Sequence, residues 1–417
     1  MRKLIFRSAG LITLQCVSLH FIHAQNTVNS QLNRLGLNTI TTAVPFLSIS
    51  PDSRSGGMGD LGVATSPDVN SMYWNPAKYA FMDDKMGASV CYTPWLRTLV
   101  PDISLSYLSG YYKFDNDKDK NQVIAGSLRY FSLGDISFTD NAGNSTGQFR
   151  PNEFAFDLAY AQKLSKRWSG SMAARYIYSN LTGGTFVSGV ATHPGTSVAA
   201  DISTFYQNKD IVISEKKTTV GFGVNISNIG SKISYSGATG NKDFIPTNLR
   251  VGSSITTALD EYNSISFSLD MNKLLVPTPP IYATDSSGAP KVVNGEYVIL
   301  SGKDPNRGVA SGILGSFTDA PGGLKEELRE ITYSFGLEYW YAKQFALRTG
   351  YFYEDPTKGD RQYFTVGVGL KYNVFGLDFA YLVPDKQRNP LQNTLRFSLS
   401  FNLAALKSQN KNEATPE

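Results

Sequence analysis

Leu395-Arg396-Phe397-Ser398-Leu399-Ser400-Phe401 sets every bulky apolar side chain on one parity and Arg, Ser and Ser on the other. Successive side chains of a strand point to opposite faces, so this stretch is a strand with one greasy wall and one polar wall. The alternation recurs upstream. Ile265, Phe267, Leu269 and Met271 oppose Ser266, Ser268 and Asp270. Phe364, Val366, Val368, Leu370 and Tyr372 oppose Thr365, Gly367, Gly369 and Lys371, and Val220, Phe222, Val224 and Ile226 oppose Gly221, Gly223 and Asn225.

A soluble β-sandwich also alternates, so periodicity does not decide the class alone. Three further features favour a membrane barrel. The apolar wall is bulky, while the other holds Gly, Ser, Thr and scattered charges, as lipid outside and a polar lumen inside require. Trp95, Trp168 and Trp340, with many of the 23 tyrosines, fall near strand ends, where an aromatic girdle is expected. Connections also alternate between short and long. Strands are predicted at 86–95, 102–114, 121–132, 152–163, 168–180, 197–207, 217–228, 248–258, 263–273, 331–341, 344–354, 362–372, 375–383 and 394–403. The predicted class is therefore all-β, a transmembrane outer-membrane β-barrel of about 14 antiparallel strands. Short turns belong to the periplasmic side under the outer-membrane rule, and an even count returns both termini there.

Composition agrees with an exported barrel and excludes other classes. The 417 residues are 41% hydrophobic, 12% aromatic and 18% charged. The formal charge of +4 includes Arg2, Lys3 and Arg7 of a leader, so the mature chain carries 39 − 3 = 36 cations against 35 anions, or +1. That is no nucleic-acid footprint. Residues 1–24 read as a signal peptide, with a basic start, an apolar stretch from Leu11 to Ile22 and cleavage after Ala24. Lipoprotein processing at Cys16 is disfavoured, because Leu14 and Gln15 stand where small residues are needed. Beyond the leader no stretch approaches the roughly 20 apolar residues of a membrane helix.

The mature chain keeps only Cys91 and His193 of its cysteines and histidines. An intrachain disulfide, a thiolate zinc site and a paired-histidine site are thereby excluded, and no metal or cofactor is expected. A Ser-His-Asp or Cys-His mechanism would have to use His193, which sits in the loop-like Thr192-His193-Pro194-Gly195. Cys91 alternates with Ser89 and reads as a small residue packed inside the barrel. No catalytic residue stands out, and the chain is not expected to be an enzyme.

Two segments break the strand pattern. Residues 25–84 precede the barrel (85–403) and are dense in turn formers: Pro51-Asp52-Ser53-Arg54, Gly56-Gly57-Met58-Gly59-Asp60-Leu61-Gly62 and Trp74-Asn75-Pro76-Ala77-Lys78. Such a segment is expected to be a hatch, folded into the lumen so that the walls satisfy its backbone. Its Gly57-x-Gly59-x-x-Gly62 matches a dinucleotide fingerprint, but no strand precedes it, Pro67 cuts short any helix and no βαβ unit surrounds it, so it is a turn. The second segment, the outer loop 274–330, ends in a short predicted helix. There Leu324 and Leu328 share a face and Glu326, Glu327 and Glu330 lie elsewhere. It is either a rim helix with solvated acids or a docking surface for a partner. The tail 404–417 is polar.

Asn75-Pro76-Ala77 ahead of fourteen strands resembles the hatch element of the FadL-like long-chain fatty-acid transporter superfamily. More closely, Pro45-Phe46-Leu47, Pro51-Asp52-Ser53-Arg54, Gly56-Gly57-Met58-Gly59-Asp60, Gly62-Val63-Ala64-Thr65 and Trp74-Asn75-Pro76-Ala77-Lys78 resemble the PorV family, outer-membrane barrels of the Bacteroidetes type IX secretion system. The resemblance implies a hatch motif at Asp52, Arg54, Gly57, Gly59, Asp60, Trp74, Asn75, Pro76 and Ala77. It also implies a non-enzymatic carrier that receives cargo C-terminal domains from the translocon barrel and passes them to the surface sortase. Contact with outer-membrane lipid or lipopolysaccharide would accompany this. The cargo-docking candidates are Leu324, Glu326, Glu327, Leu328 and Glu330. Two alternatives remain open. One is a transporter of hydrophobic molecules such as fatty acids, with Arg54 or Lys78 pairing a carboxylate; the other is a lipid A deacylase relying on His193.

Overall fold

A computed structural model of the chain describes residues 37–96, 102–114, 121–139, 145–184, 186–187, 190–236, 242–385, 391–392 and 394–403. The leader, the start of the hatch segment and the C-terminal tail lie outside them. Fourteen strands form a closed antiparallel barrel. They are β1 Met86–Pro94, β2 Ile103–Lys113, β3 Val123–Leu133, β4 Asn152–Lys163, β5 Trp168–Asn180, β6 Gly195–Ile213 and β7 Lys216–Gly230. After these come β8 Asn248–Ala258, β9 Asn263–Leu274, β10 Ile331–Tyr341, β11 Phe345–Tyr353, β12 Gln362–Tyr372, β13 Phe375–Pro384 and β14 Leu395–Asn402. Each strand pairs with its neighbours in sequence, and β14 closes on β1 from Gly87 opposite Asn402 to Tyr92 opposite Phe397. Closure leaves no open edge, which hydrocarbon would not tolerate.

The side-chain parity follows the sequence. In β14, Leu395 and Leu399 are exposed, whereas Arg396 and Ser398 are buried in the lumen. Val90, Leu108, Leu128, Phe156, Met172, Phe222, Phe267 and Phe364 are likewise exposed, forming the wall that lipid covers. No helix among the described residues is long and apolar enough to cross a membrane.

Most strand ends agree with the sequence to within two residues; β6 departs from it. It runs six residues past the predicted end to Ile213, because register shifts at Ala200/Ile202 and Asn208/Ile211 absorb the polar run Asn208-Lys209-Asp210 without ending the ladder. The turn is then only Ser214-Glu215, both at positive φ, as a two-residue hairpin requires. The girdle expectation is also corrected. Trp168 faces outward and packs against Tyr206 with ring centroids 5.0 Å apart and the planes tilted by 54°. Trp340 instead lies under the lumenal cations Arg348 and Lys371, and Trp95 packs against the buried cluster of Phe46, Leu47 and Leu105. Nearness to a strand end does not fix parity, and these two fall on the inward one.

The chain divides into two compact units. The first comprises the barrel and the segment threaded into it: Thr42–Leu275, Ile331–Glu354 and Arg361–Glu417. The second joins Met1–Thr41, Val276–Glu330 and Asp355–Asp360. It contains the ribbons Ile281–Tyr282/Ile299–Ser301 and Val292–Val293/Glu296–Tyr297, and the helices Val309–Gly315 and Leu324–Arg329.

Candidate functional site

The segment ahead of β1 is short helical turns held against the lumenal wall by its own turn residues. Asp52 caps the turn Ser53–Gly56 by accepting from Ser55 N at 2.9 Å, and its other oxygen accepts from Trp74 Nε1 at 2.7 Å. Asn75 caps the following 3-10 turn through Ala77 N at 3.1 Å, while its amide donates to Val63 O and, across to β6, Thr204 O. Pro76 opens that turn, where its missing N–H costs nothing. Ala77 O accepts from Ser169 of β5 at 2.7 Å, and Asn225 of β7 donates to Trp74 O at 2.9 Å.

Glycines make the opposite contact possible. Gly59, at φ +77°, sits so close to the backbone of Tyr351 and Phe335 that a Cβ would lie 2.8–2.9 Å from them. A Cβ on Gly350 of β11 would lie 2.1 Å from the carbonyl carbon of Met58, and one on Gly57 would lie 3.1 Å from the Cα of Gly367 on β12, a less severe approach. Hatch backbone and wall backbone touch here with no side chain between them.

Charge fixes this packing. Arg54 donates to both oxygens of Glu338 on β10, at 2.9 and 2.7 Å, and to Asp68 at 2.7 Å. Glu338 also accepts from Arg348, which reaches Asp378 at 2.7 Å. The result is a five-member chain, Asp68–Arg54–Glu338–Arg348–Asp378, that crosses from hatch to wall. Asp60 pairs with Arg396 of β14 and accepts from Tyr363 at 2.5 Å. Asp270 of β9 takes the N–H groups of Gly62 and Val63 at 2.7 and 2.9 Å. Lys78 is wholly buried and donates to Gly62 O at 2.7 Å and Thr65 Oγ1 at 3.0 Å. Burial pulls its ammonium down to about 8, against the opposing pull of Asp68 and Asp270. Burial alone would raise Asp68, but Lys78 and Arg54 outweigh it and hold the carboxyl below its ordinary value.

All nine predicted motif residues therefore converge on the hatch and its contacts with the wall. What sequence reading did not single out is the wall half of the lock: Asp270, Glu338, Arg348, Asp378 and Arg396. Their signal was present, since each is a charge on the small-residue parity of a strand, but parity does not say which charges meet. A second lumenal group was missed in the same way: Arg175 with Asp157, Asp201 and Asn228.

The docking candidates come out rearranged. In the second unit, Glu326 Oε1 accepts from Lys358 at 2.6 Å and from Asn38 at 2.9 Å, and Glu330 accepts from Lys358 at 3.0 Å and Thr278 at 2.7 Å. Glu327 takes Ala320 N at 2.9 Å. The acids are turned inward, and Leu324 and Leu328 are 75% and 55% exposed. The expectation of displayed acids is corrected: Lys358 and Asn38 lie 28 or more residues away in sequence and outcompete water for them. His193 is exposed, its Nδ1 3.0 Å from Pro194 O. No cluster of three or more candidate metal ligands occurs among the described residues.

The model of the family described as type IX secretion system protein PorV matches residues 31–281. The chain belongs to the PorV family. The match spans the hatch side of the lock and the first nine strands; of the wall side it includes Asp270, while Glu338, Arg348, Asp378 and Arg396 lie beyond it. No curated protein matches the sequence. Among solved structures, this PorV-family chain is similar to the toluene transporter TbuX of Ralstonia pickettii, at 13% identity, 85% of this chain, 97% of that one and a TM-score of 0.42. It is similar to the toluene transporter TodX of Pseudomonas putida at 12% identity, 83% and 95% coverage and 0.43. A Pseudomonas aeruginosa FadL homologue matches at 10% identity, 88% and 99% coverage and 0.41.

Proposed function

We propose that this outer-membrane barrel of the type IX secretion system works as a carrier, binding the C-terminal domains of cargo as they leave the translocon barrel and presenting them to the surface sortase. The observation that carries the reading is the locked hatch. A lumen crossed by a five-member buried ion-pair chain and by backbone-to-backbone glycine contacts is a poor conduit, which leaves the outer surface as the working part. The short turns and both termini face the periplasm in this reading, and the loops on the other side meet cargo. The docking face is Leu324 and Leu328, not the acids beside them.

The hydrophobic-transport reading loses its proposed head-group partners, because Arg54 and Lys78 are both engaged in holding the hatch. A cavity of about 420 Å³ beside the hatch is lined by charged residues such as Arg54, Asp68, Lys371 and Asp378 as well as by Val69 and Phe375. Gentle-detergent purification from the native outer membrane, with protein and lipid mass spectrometry, separates the readings. Co-purification of a very large barrel and of secreted proteins sharing a C-terminal domain is expected. Recovery of the barrel alone with stoichiometric fatty acid would replace the carrier with a transporter.

A further inference from the structure

At the short-turn end of β2, β4, β5 and β6 a second cavity of about 950 Å³ opens where the hatch joins the wall. Five cations line it, Lys113, Lys163, Lys166, Arg167 and Lys209, against two carboxylates, Asp83 and Asp210, an excess of three positive charges. The carboxylates are weak competitors. Lys209 and Asp83 stand 4.0 Å apart and Arg167 and Asp210 3.2 Å apart, with all four side chains about half exposed or more, a setting in which ion pairs contribute little. Lys113 is already fixed on the carbonyls of Met82 and Asp83, so the end of the hatch orients one wall of the cavity.

The outer lip has a different chemistry. Trp168 and Tyr206 line the cavity as a contacting, tilted pair of rings, and beside them Leu164 and Met172 are 67% and 66% exposed on the lipid-facing wall. A basic hollow continuous with an aromatic belt and a greasy wall matches a molecule with an anionic head and acyl chains. Gln207, on the inner side of the hollow, is buried, and its amide oxygen has no hydrogen-bond partner. A buried acceptor left empty is costly, and a hydroxyl from the ligand would satisfy it.

We propose that this mouth binds a phosphate-bearing ligand, the phosphodiester headgroup of an anionic phospholipid with free hydroxyls, its phosphate among Lys163, Lys166 and Arg167 and its chains along Trp168 and Met172. The site is separate from the loop assigned to cargo and does not depend on that assignment.

The test is native mass spectrometry of the full chain in neutral detergent, titrated with phosphatidylglycerol or phosphatidylcholine. The variants are Lys166→Glu with Arg167→Glu, both on the exposed turn, and Gln207→Leu. Phosphatidylglycerol is expected to be retained in preference to phosphatidylcholine, and the double variant to weaken that retention by roughly thirtyfold or more, as loss of two interfacial cations implies. Gln207→Leu should weaken phosphatidylglycerol more than it weakens phosphatidic acid, which lacks the hydroxyls. Displacement by millimolar inorganic phosphate would support a site that takes the free anion as well, and resistance to displacement would support a lipid-specific one. Equal retention of the two lipids by the wild type, or unchanged retention by a double variant that still shows the folded-barrel gel mobility, overturns the proposal.

Discussion

Arg54 on the hatch and Glu338 on β10 form a two-pronged ion pair, 2.9 and 2.7 Å, with Glu338 almost wholly buried and shared with Arg348. Breaking one partner of such a pair strands a buried charge, at a cost of about 3–5 kcal/mol. Arg54→Ala should therefore loosen the hatch while leaving the fourteen-strand ladder closed. The chain's other cysteine being Cys16 of the predicted leader, Cys91 reports on this directly. It is 1% exposed on the lumenal face of β1, with Ser398 Oγ 3.1 Å from its sulfur and Asn70 of the hatch beside it. Maleimide labelling of Cys91 should be slow in the wild type and fast in Arg54→Ala, at unchanged heat-modifiable gel mobility. Equal labelling rates would mean the ion pair does not hold the hatch.

The contact between Gly350 and Met58 admits no side chain, so Gly350→Val must push hatch and wall apart. Overpacking of this kind costs about 1–3 kcal/mol. Here the atom met is backbone and cannot rotate away. The expected outcome is Cys91 exposure, like that in Arg54→Ala but with every ion-pair partner intact. Gly308→Ala, at φ −63° and with no neighbour within 4 Å of the added Cβ, serves as the control for a glycine substitution on the same chain.

Strand positions were legible because each strand carries its own parity code: bulky apolar residues toward lipid, Gly, Ser and Thr toward the lumen. The turns around Asp52 and Asn75-Pro76 were legible for the same reason, since turn formers and the turn they make lie within a few residues of each other; the capping role of Asp52 was not read. The lock was not. Glu338 lies 284 residues from Arg54 and Arg396 lies 336 from Asp60, so their meeting is decided by barrel closure and register, which no local pattern states. The helix Leu324–Arg329 shows the limit most plainly. Its periodicity correctly gave a helix with two faces but assigned them to the wrong environments, because Lys358 arrives from a distant turn to claim the acids.

Acid should release the hatch through Asp68. Its carboxyl titrates below the ordinary value of 3.8, so its pairing with Arg54 contributes stability that is fully present above that value and is lost as pH falls through the lower folded value. Cys91 labelling by a reagent whose intrinsic rate does not depend on pH, or hydrogen exchange across Gly57–Gly62 taken relative to the intrinsic rate at each pH, should show hatch opening that is flat from pH 7 to pH 5 and rises below about pH 4. Asp68→Asn should show the loosened hatch at every pH and no such rise. A wild-type profile that rises between pH 5 and pH 7 would point to a different group.

Leu324 and Leu328 are mostly exposed, so Leu324→Glu with Leu328→Glu removes little packing and should change stability by no more than about 0.5 kcal/mol per site. If the face docks cargo, the double variant should fold and reach the membrane normally yet fail to co-purify secreted proteins. Glu330→Gln makes the opposite substitution, leaving the leucines and disturbing the buried contacts with Lys358 and Thr278. It should lower protection of the second unit against protease by removing a charge-assisted bond worth about 1.5–3 kcal/mol. Cargo recovery should fall only as far as that unit unfolds. Loss of cargo in Glu330→Gln at unchanged protease resistance, with the leucine variant still binding, would move the docking function from the apolar face to the acids.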